Sequence, residues 1–126
     1  MASVTAENPK TDVKVTRSDT GYTIRMTVEN LSDKLLPFRF SSSQTYDFWV
    51  QSSVTGKEVW RWSNGNFFTQ VMRSDSIRGG GKWEFEAVWD GKDNDGSPVT
   101  PGEYRVYGLI KATPSLQASP VLIDVR

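Results

Sequence analysis

Residues 89–96, Trp-Asp-Gly-Lys-Asp-Asn-Asp-Gly, set three carboxylates close together, and oxygen ligands of this kind hold hard cations. With Gly96 at the glycine position of a calcium loop, Asp93 and Asp95 match two ligand positions. Gly91 then falls at the first ligand position and Gly102 at the last, where a carboxylate and a bidentate Glu are needed. The motif fails at both places. A hairpin loop held by Asx-type hydrogen bonds is the expected structure around Asp90, Asp93 and Asp95.

Glu84 and Glu86 lie two apart, which on a strand puts both on one face roughly 6.5–7 Å apart. That separation overlaps the spacing of an inverting glycosidase pair. Their neighbours Trp83 and Phe85 point the other way, so two Glu on a solvated sheet face are expected. Trp60, Trp62, Phe67 and Phe68 could line a sugar-stacking platform, but a domain of this size needs that volume in its core. The chain has no His and no Cys. Ser-His-Asp and Cys-His catalysis and any imidazole or thiolate metal site are therefore ruled out. An enzyme is not expected, and nothing calls for a metal, nucleotide or haem cofactor.

Asp33-Lys34-Leu35-Leu36-Pro37 places two adjacent Leu in a loop stiffened by Pro. Alternation along one extended strand cannot bury both. One of them either faces solvent or plugs the end of the core.

These residues need elements to hold them, and the pattern is of strands. Tyr22, Ile24, Met26 and Val28 alternate with Thr23, Arg25, Thr27 and Glu29, the period of a half-buried strand. Lys82 to Val88 repeats it, with Trp83, Phe85 and Ala87 inward. Val13 to Thr16, Phe38 to Phe40, Tyr46 to Gln51, Glu58 to Trp62, Glu103 to Ile110 and Val121 to Val125 read as further strands. Phe67 to Met72 is a short apolar segment, and Ser74 to Gly81 reads as a flexible loop. Thr55-Gly56 turns a hairpin between the strands on either side of it. The sum is an all-β, immunoglobulin-like antiparallel sandwich of seven to nine short strands. Residues 1–10 are expected as a flexible leader and 11–126 as one domain.

Fifteen basic and fifteen acidic residues give a formal net charge of zero. A nucleic-acid binder draws affinity from a basic excess, and none is present. No apolar run approaches the ~20 residues that span a bilayer, so membrane insertion is not expected. The first ten residues lack a signal peptide's apolar stretch, which makes the cytoplasm the expected address, unless a secretion signal has been trimmed upstream.

Five blocks recur in one order between Asn30 and Gly108: Phe40-Ser41-Ser42-Ser43-Gln44-Thr45-Tyr46-Asp47-Phe48, Gly56-Lys57-Glu58-Val59-Trp60-Arg61-Trp62-Ser63, Phe67-Phe68-Thr69-Gln70, Trp89-Asp90-Gly91 and Pro101-Gly102-Glu103-Tyr104-Arg105-Val106. In these blocks the chain resembles the BsuPI family of intracellular proteinase inhibitors of Bacillus. Residues 89–104 are also similar to a loop–strand signature in other bacterial immunoglobulin-like modules, the flagellar hook-capping protein among them. The family resemblance implies a sandwich fold and inhibition of subtilisin-type serine proteases, with a non-catalytic interaction or assembly module as the second reading. It transfers no inhibitory residue.

Sandwich inhibitors can bind through loops clustered at one end. Strict up-and-down alternation groups residues 31–36, 53–56, 74–81 and 112–119 at one end. It groups 18–21, 41–45, 63–66 and 89–102 at the other. The first end holds the large apolar side chains a subtilisin-type cleft favours. Lys34, Leu35, Leu36, Pro37, Ile77 and Arg78 are therefore the expected contacts with a serine protease, made by a monomer.

Overall fold

The computed structural model describes residues 9–126. The expected leader lies outside the described residues up to residue 8, and Lys10 already opens the first strand. The chain forms β1 (Lys10–Ser18), β2 (Gly21–Glu29), β3 (Leu36–Phe40), β4 (Tyr46–Ser52), β5 (Glu58–Arg61), β6 (Arg73–Ile77), β7 (Lys82–Trp89), β8 (Gly102–Ile110), β9 (Leu116–Gln117) and β10 (Val121–Val125). That is one more than the upper end of the expected range, counting the two-residue β9. All pairings are antiparallel.

Period-two strands pair so that their apolar faces coincide. In β2, Tyr22, Ile24, Met26 and Val28 are buried, and they lie opposite Trp89, Ala87, Phe85 and Trp83 of β7. The sheet β1-β2-β7 faces the sheet β10-β8-β4-β5, and β9 adds to β8. This is the A-B-E and G-F-C-C′ arrangement of an immunoglobulin-like sandwich. The layers meet closely at Gly108, where an added Cβ would lie 2.8 Å from Val13 Cγ2 and 2.9 Å from Met26 Sδ. Tyr104, near the start of β8, donates its hydroxyl to Thr100 O four residues upstream, a tyrosine corner that ties the 90–101 connection to the sheet.

Three readings of the sequence change. Leu36 and Pro37, expected in a loop, already lie in β3, because they pair with Ile77 and Ser76 of β6. Ser74 to Gly81 is not simply a loop, because residues 73–77 form β6 and pair with β3 from Phe40↔Arg73 to Leu36↔Ile77. Their Ser-Asp-Ser composition reads as a turn. Pairing overrides it by burying Ile77 and laying the Arg73 guanidinium 4.1 Å from the centre of the Phe40 ring. The apolar segment 67–72 forms no strand. In addition, β3 and β6 make a separate two-stranded sheet, so strict alternation fails and the loops regroup.

Register gives the grouping. Lys10 pairs with Glu29 and Glu29 with Lys82, so residues 30–35 and 78–81 share one end. Tyr46 pairs with Ile110, Lys111 N donates to Thr45 O and Ser43 N to Thr69 O, which brings 41–45, 62–72 and 111–113 to that end too. The 53–56 turn is at the opposite end, where Ser53 N donates to Glu103 O and Asn94 N to Val59 O.

Burial raises the phenol pKa of Tyr46 and of Tyr104 above the ordinary value of 10.0. The fold therefore favours the neutral phenols. This stability is complete below the unfolded pKa, about 10, and is lost as pH rises through the folded values. Thermal midpoints should fall through that alkaline window, and a midpoint that holds steady there would refute the expectation.

Candidate functional site

The 31–35 loop leaves β2 through Asn30, which is fully buried although polar. A buried amide must be satisfied. Its Nδ2 donates to Lys34 O at 2.7 Å, Ile77 O at 2.9 Å and Arg78 O at 3.2 Å. Its Oδ1 accepts from Ser32 N at 3.0 Å and Ser32 Oγ at 2.8 Å. The main chain adds Asn30 N to Gly81 O at 2.9 Å and Gly80 N to Asn30 O at 3.0 Å. One side chain thus joins two loops that are almost fifty residues apart in sequence. Gly79 lets them touch, since a Cβ there would come within 2.5 Å of the Asp33 carbonyl carbon.

The expected contact residues do come together. Leu36 pairs with Ile77, so Lys34, Leu35, Leu36, Pro37, Ile77 and Arg78 cluster at one end of the β3–β6 sheet. They do not share one fate. Leu35 is 64% exposed, and Lys34, Pro37 and Arg78 are exposed as well. Ile77 is only 3% exposed and belongs to the core, so it supports the loop from beneath and cannot meet a partner. Leu36 is half-buried against the same core. The pair of leucines divides as alternation requires, one plugging the end and one facing solvent.

The other candidates resolve toward structure. Asp93 Oδ1 accepts from Asp95 N at 2.9 Å and Ser97 N at 3.0 Å, and Asp90 Oδ1 accepts from Lys92 N at 3.1 Å, the Asx bonds expected of a hairpin loop. No cluster of three His, Cys, Asp or Glu that could hold a metal ion occurs among the described residues. Glu84 and Glu86 are exposed, and Glu86 pairs with Arg25 at 2.7 Å. Trp60 packs toward Trp89 at 6.2 Å, and Trp62 lies between Tyr46 at 4.6 Å and Phe68 at 6.0 Å. Three of the four platform aromatics are therefore occupied in packing. Phe67 is the exception, at 98% exposed.

Asp47 is a second buried polar hub. It accepts from Arg61 Nη1 at 2.9 Å, Ser63 Oγ at 2.6 Å and Ser63 N at 3.1 Å. Arg61 also holds Glu58 at 2.7 Å and lies 4.5 Å from the centre of the Trp49 ring. Hydrogen bonding to Glu58 raises the Arg61 pKa, partly offset by desolvation and reinforced by Asp47, so the guanidinium stays charged. The blocks Tyr46-Asp47-Phe48 and Arg61-Trp62-Ser63 are thus bound to each other.

A sequence profile described as "BsuPI: Intracellular proteinase inhibitor" matches residues 9–115, most of the chain. The chain belongs to the BsuPI family of intracellular proteinase inhibitors. The family is one of inhibitors, which implies a protease as partner. The Asp47–Arg61–Ser63 linkage joins two stretches that both lie within the matched BsuPI range. No curated protein matches the chain in sequence. Among solved structures, an alkylpurine DNA glycosylase from Pseudomonas fluorescens aligns over 93% of this chain at 12% identity and a TM-score of 0.49. A β-glucosidase from Streptomyces venezuelae aligns over 91% at 14% identity and 0.44, and one from Erythrobacter marinus over 91% at 15% and 0.45. The BsuPI chain spans 31% of the glycosylase's length and 14% and 15% of the two glucosidases.

Sequence reading missed Asn30 as the residue that builds this BsuPI end. An Asn at a strand terminus with Ser two positions on is an Asx-turn signal, but its long-range carbonyl partners have no local trace.

Proposed function

We propose that this chain inhibits a serine protease of the intracellular subtilisin type, acting as a monomeric, single-domain, non-catalytic protein in the cytoplasm. Loops at one end of the sandwich make the contact, with Lys34, Leu35, Pro37 and Arg78 at the surface and Leu36 and Ile77 holding them from below. The observation that carries the reading is the exposed Leu35 on a loop locked by Asn30 onto a neighbouring loop. A loop already fixed in place loses little conformational freedom on binding, which favours affinity. A protease–inhibitor contact covers roughly 800 Å² per partner, more than one loop supplies, and two loops joined by a shared hub begin to provide it.

The test is titration of a subtilisin with the full chain and a chromogenic peptide as reporter. Activity should fall stoichiometrically. Leu35→Asp should raise the inhibition constant by roughly 10- to 100-fold, as expected for an interface anchor, with the thermal midpoint unchanged. Leu36 is unsuitable for the same substitution because it packs on the core. Full protease activity at large molar excess of the chain would remove the proposal.

A further inference from the structure

The segment 65–72 leaves a large aromatic in water, and nothing in the fold uses it. Phe67 is 98% exposed and Met72 73% exposed, whereas neighbouring Phe68 is half-buried beside Trp62. The backbone here is irregular and, apart from Asn66 and Thr69, unpaired. No hydrogen bond joins the main chain of Phe67, Phe68, Gln70, Val71 or Met72 to another described residue.

Even so, the segment is pinned at several points. Thr69 N donates to Ser43 Oγ at 2.9 Å while Ser43 N donates to Thr69 O at 2.9 Å. Asn66 N donates to Ser63 O at 3.0 Å and its side chain caps Trp62 O. Gly65 turns the chain with a φ of 82° just before Phe67. Ser63 beneath this turn is held by Asp47.

A protease cleft recognises a peptide by two features. It pairs with unsatisfied main-chain groups, much as a sheet edge accepts an added strand, and it takes one side chain into a specificity pocket. Residues 65–72 offer both, already ordered. We propose that this segment enters the protease cleft and that Phe67 fills its apolar specificity pocket.

The proposal rests on the reading of the chain as a subtilisin inhibitor and names the side chain that does the anchoring. The Leu35 loop then contacts the cleft rim. The two loops flank the β3–β6 sheet, whose five residues per strand span roughly 13 Å. A footprint of about 800 Å² is roughly 30 Å across, enough to reach both.

The experiment measures inhibition constants for the full wild-type chain, Phe67→Asp and Phe67→Leu against a bacterial subtilisin, alongside their thermal midpoints. Phe67→Asp should weaken inhibition by roughly 30-fold or more, while Phe67→Leu stays within about threefold of wild type. Both midpoints should match wild type, because the side chain touches so little. A wild-type chain that inhibits, with Phe67→Asp inhibiting equally well, overturns this proposal and leaves the inhibitor reading standing. A wild-type chain that never inhibits overturns both. If Phe67→Asp also unfolds the protein, Phe67→Ser, which adds no charge, replaces it and is read by the same criterion.

Discussion

Asn30→Ala should lower stability by about 3 kcal/mol and should weaken inhibition by more than the loss of fold accounts for. The substitution strips donors from the carbonyls of Lys34, Ile77 and Arg78 and an acceptor from Ser32, all inside or beside the core. Leaving buried partners unsatisfied costs about 1–3 kcal/mol per group, partly relieved where water reaches the loop. For a domain of this length the corresponding drop in thermal midpoint is about 10 °C.

Asn30→Asp sharpens the test. It keeps the acceptor contacts to Ser32 but turns a carboxylate oxygen toward three carbonyls, so it should be at least as damaging as Ala. Thermal melts and inhibition constants at a temperature where both variants remain folded would check this. If Asn30→Ala inhibits like wild type under those conditions, the 31–35 loop is not held by this hub, or the loop does not meet the protease.

Trp89→Ala should be the most destabilising single change in the chain, yet Trp89→Phe should leave inhibition intact. Trp89 is fully buried, with ring centres at 5.4 Å to Tyr22, 6.2 Å to Trp60 and 6.2 Å to Tyr104, and its indole N–H donates to Lys92 O at 2.7 Å. Truncating such a side chain costs about 3–5 kcal/mol, a large share of the 5–15 kcal/mol that holds a typical domain. Trp89→Phe keeps most of the packing and loses the hydrogen bond, so the midpoint should fall by only a few degrees.

Trp89 pairs with Tyr22 at the start of β2, and Asn30 follows the end of that strand, roughly 26 Å away. Changes at the two ends should therefore separate. Asn30 variants alter inhibition and stability together, whereas Trp89→Phe alters stability alone. Denaturant melts paired with inhibition constants would show this, and a large rise in the Trp89→Phe inhibition constant would place the contact at the wrong end.

The same contrast divides what was legible in the residues from what was not. β2 and β7 could be read because each carries its own signal: side chains alternate between core and solvent, and an apolar set at every second position has one favourable placement. The Asx bonds of Asp90 and Asp93 could be read because donor and acceptor lie within four residues. Trp60 and Trp62 pack against the core, half-buried, because a chain of this size has few other ways to fill one. β6 was not legible, since Arg-Ser-Asp-Ser-Ile has one buried apolar residue and becomes a strand only through β3.

The candidate site shows the limit most clearly. The sequence by itself determined the all-β class, the family and the lack of His or Cys for catalysis. Tertiary structure decided which leucine faces water, that Ile77 lies beneath the surface, and that Phe67 stands in solvent while Phe68 is half-buried. It also moved the 53–56 turn to the far end and brought 41–45 and 62–72 to the near one. The reason is physical: alternation and turn chemistry act over a few residues, whereas exposure and end-to-end grouping depend on pairings between segments tens of residues apart, here made through Asn30, Asp47 and the β3–β6 ladder.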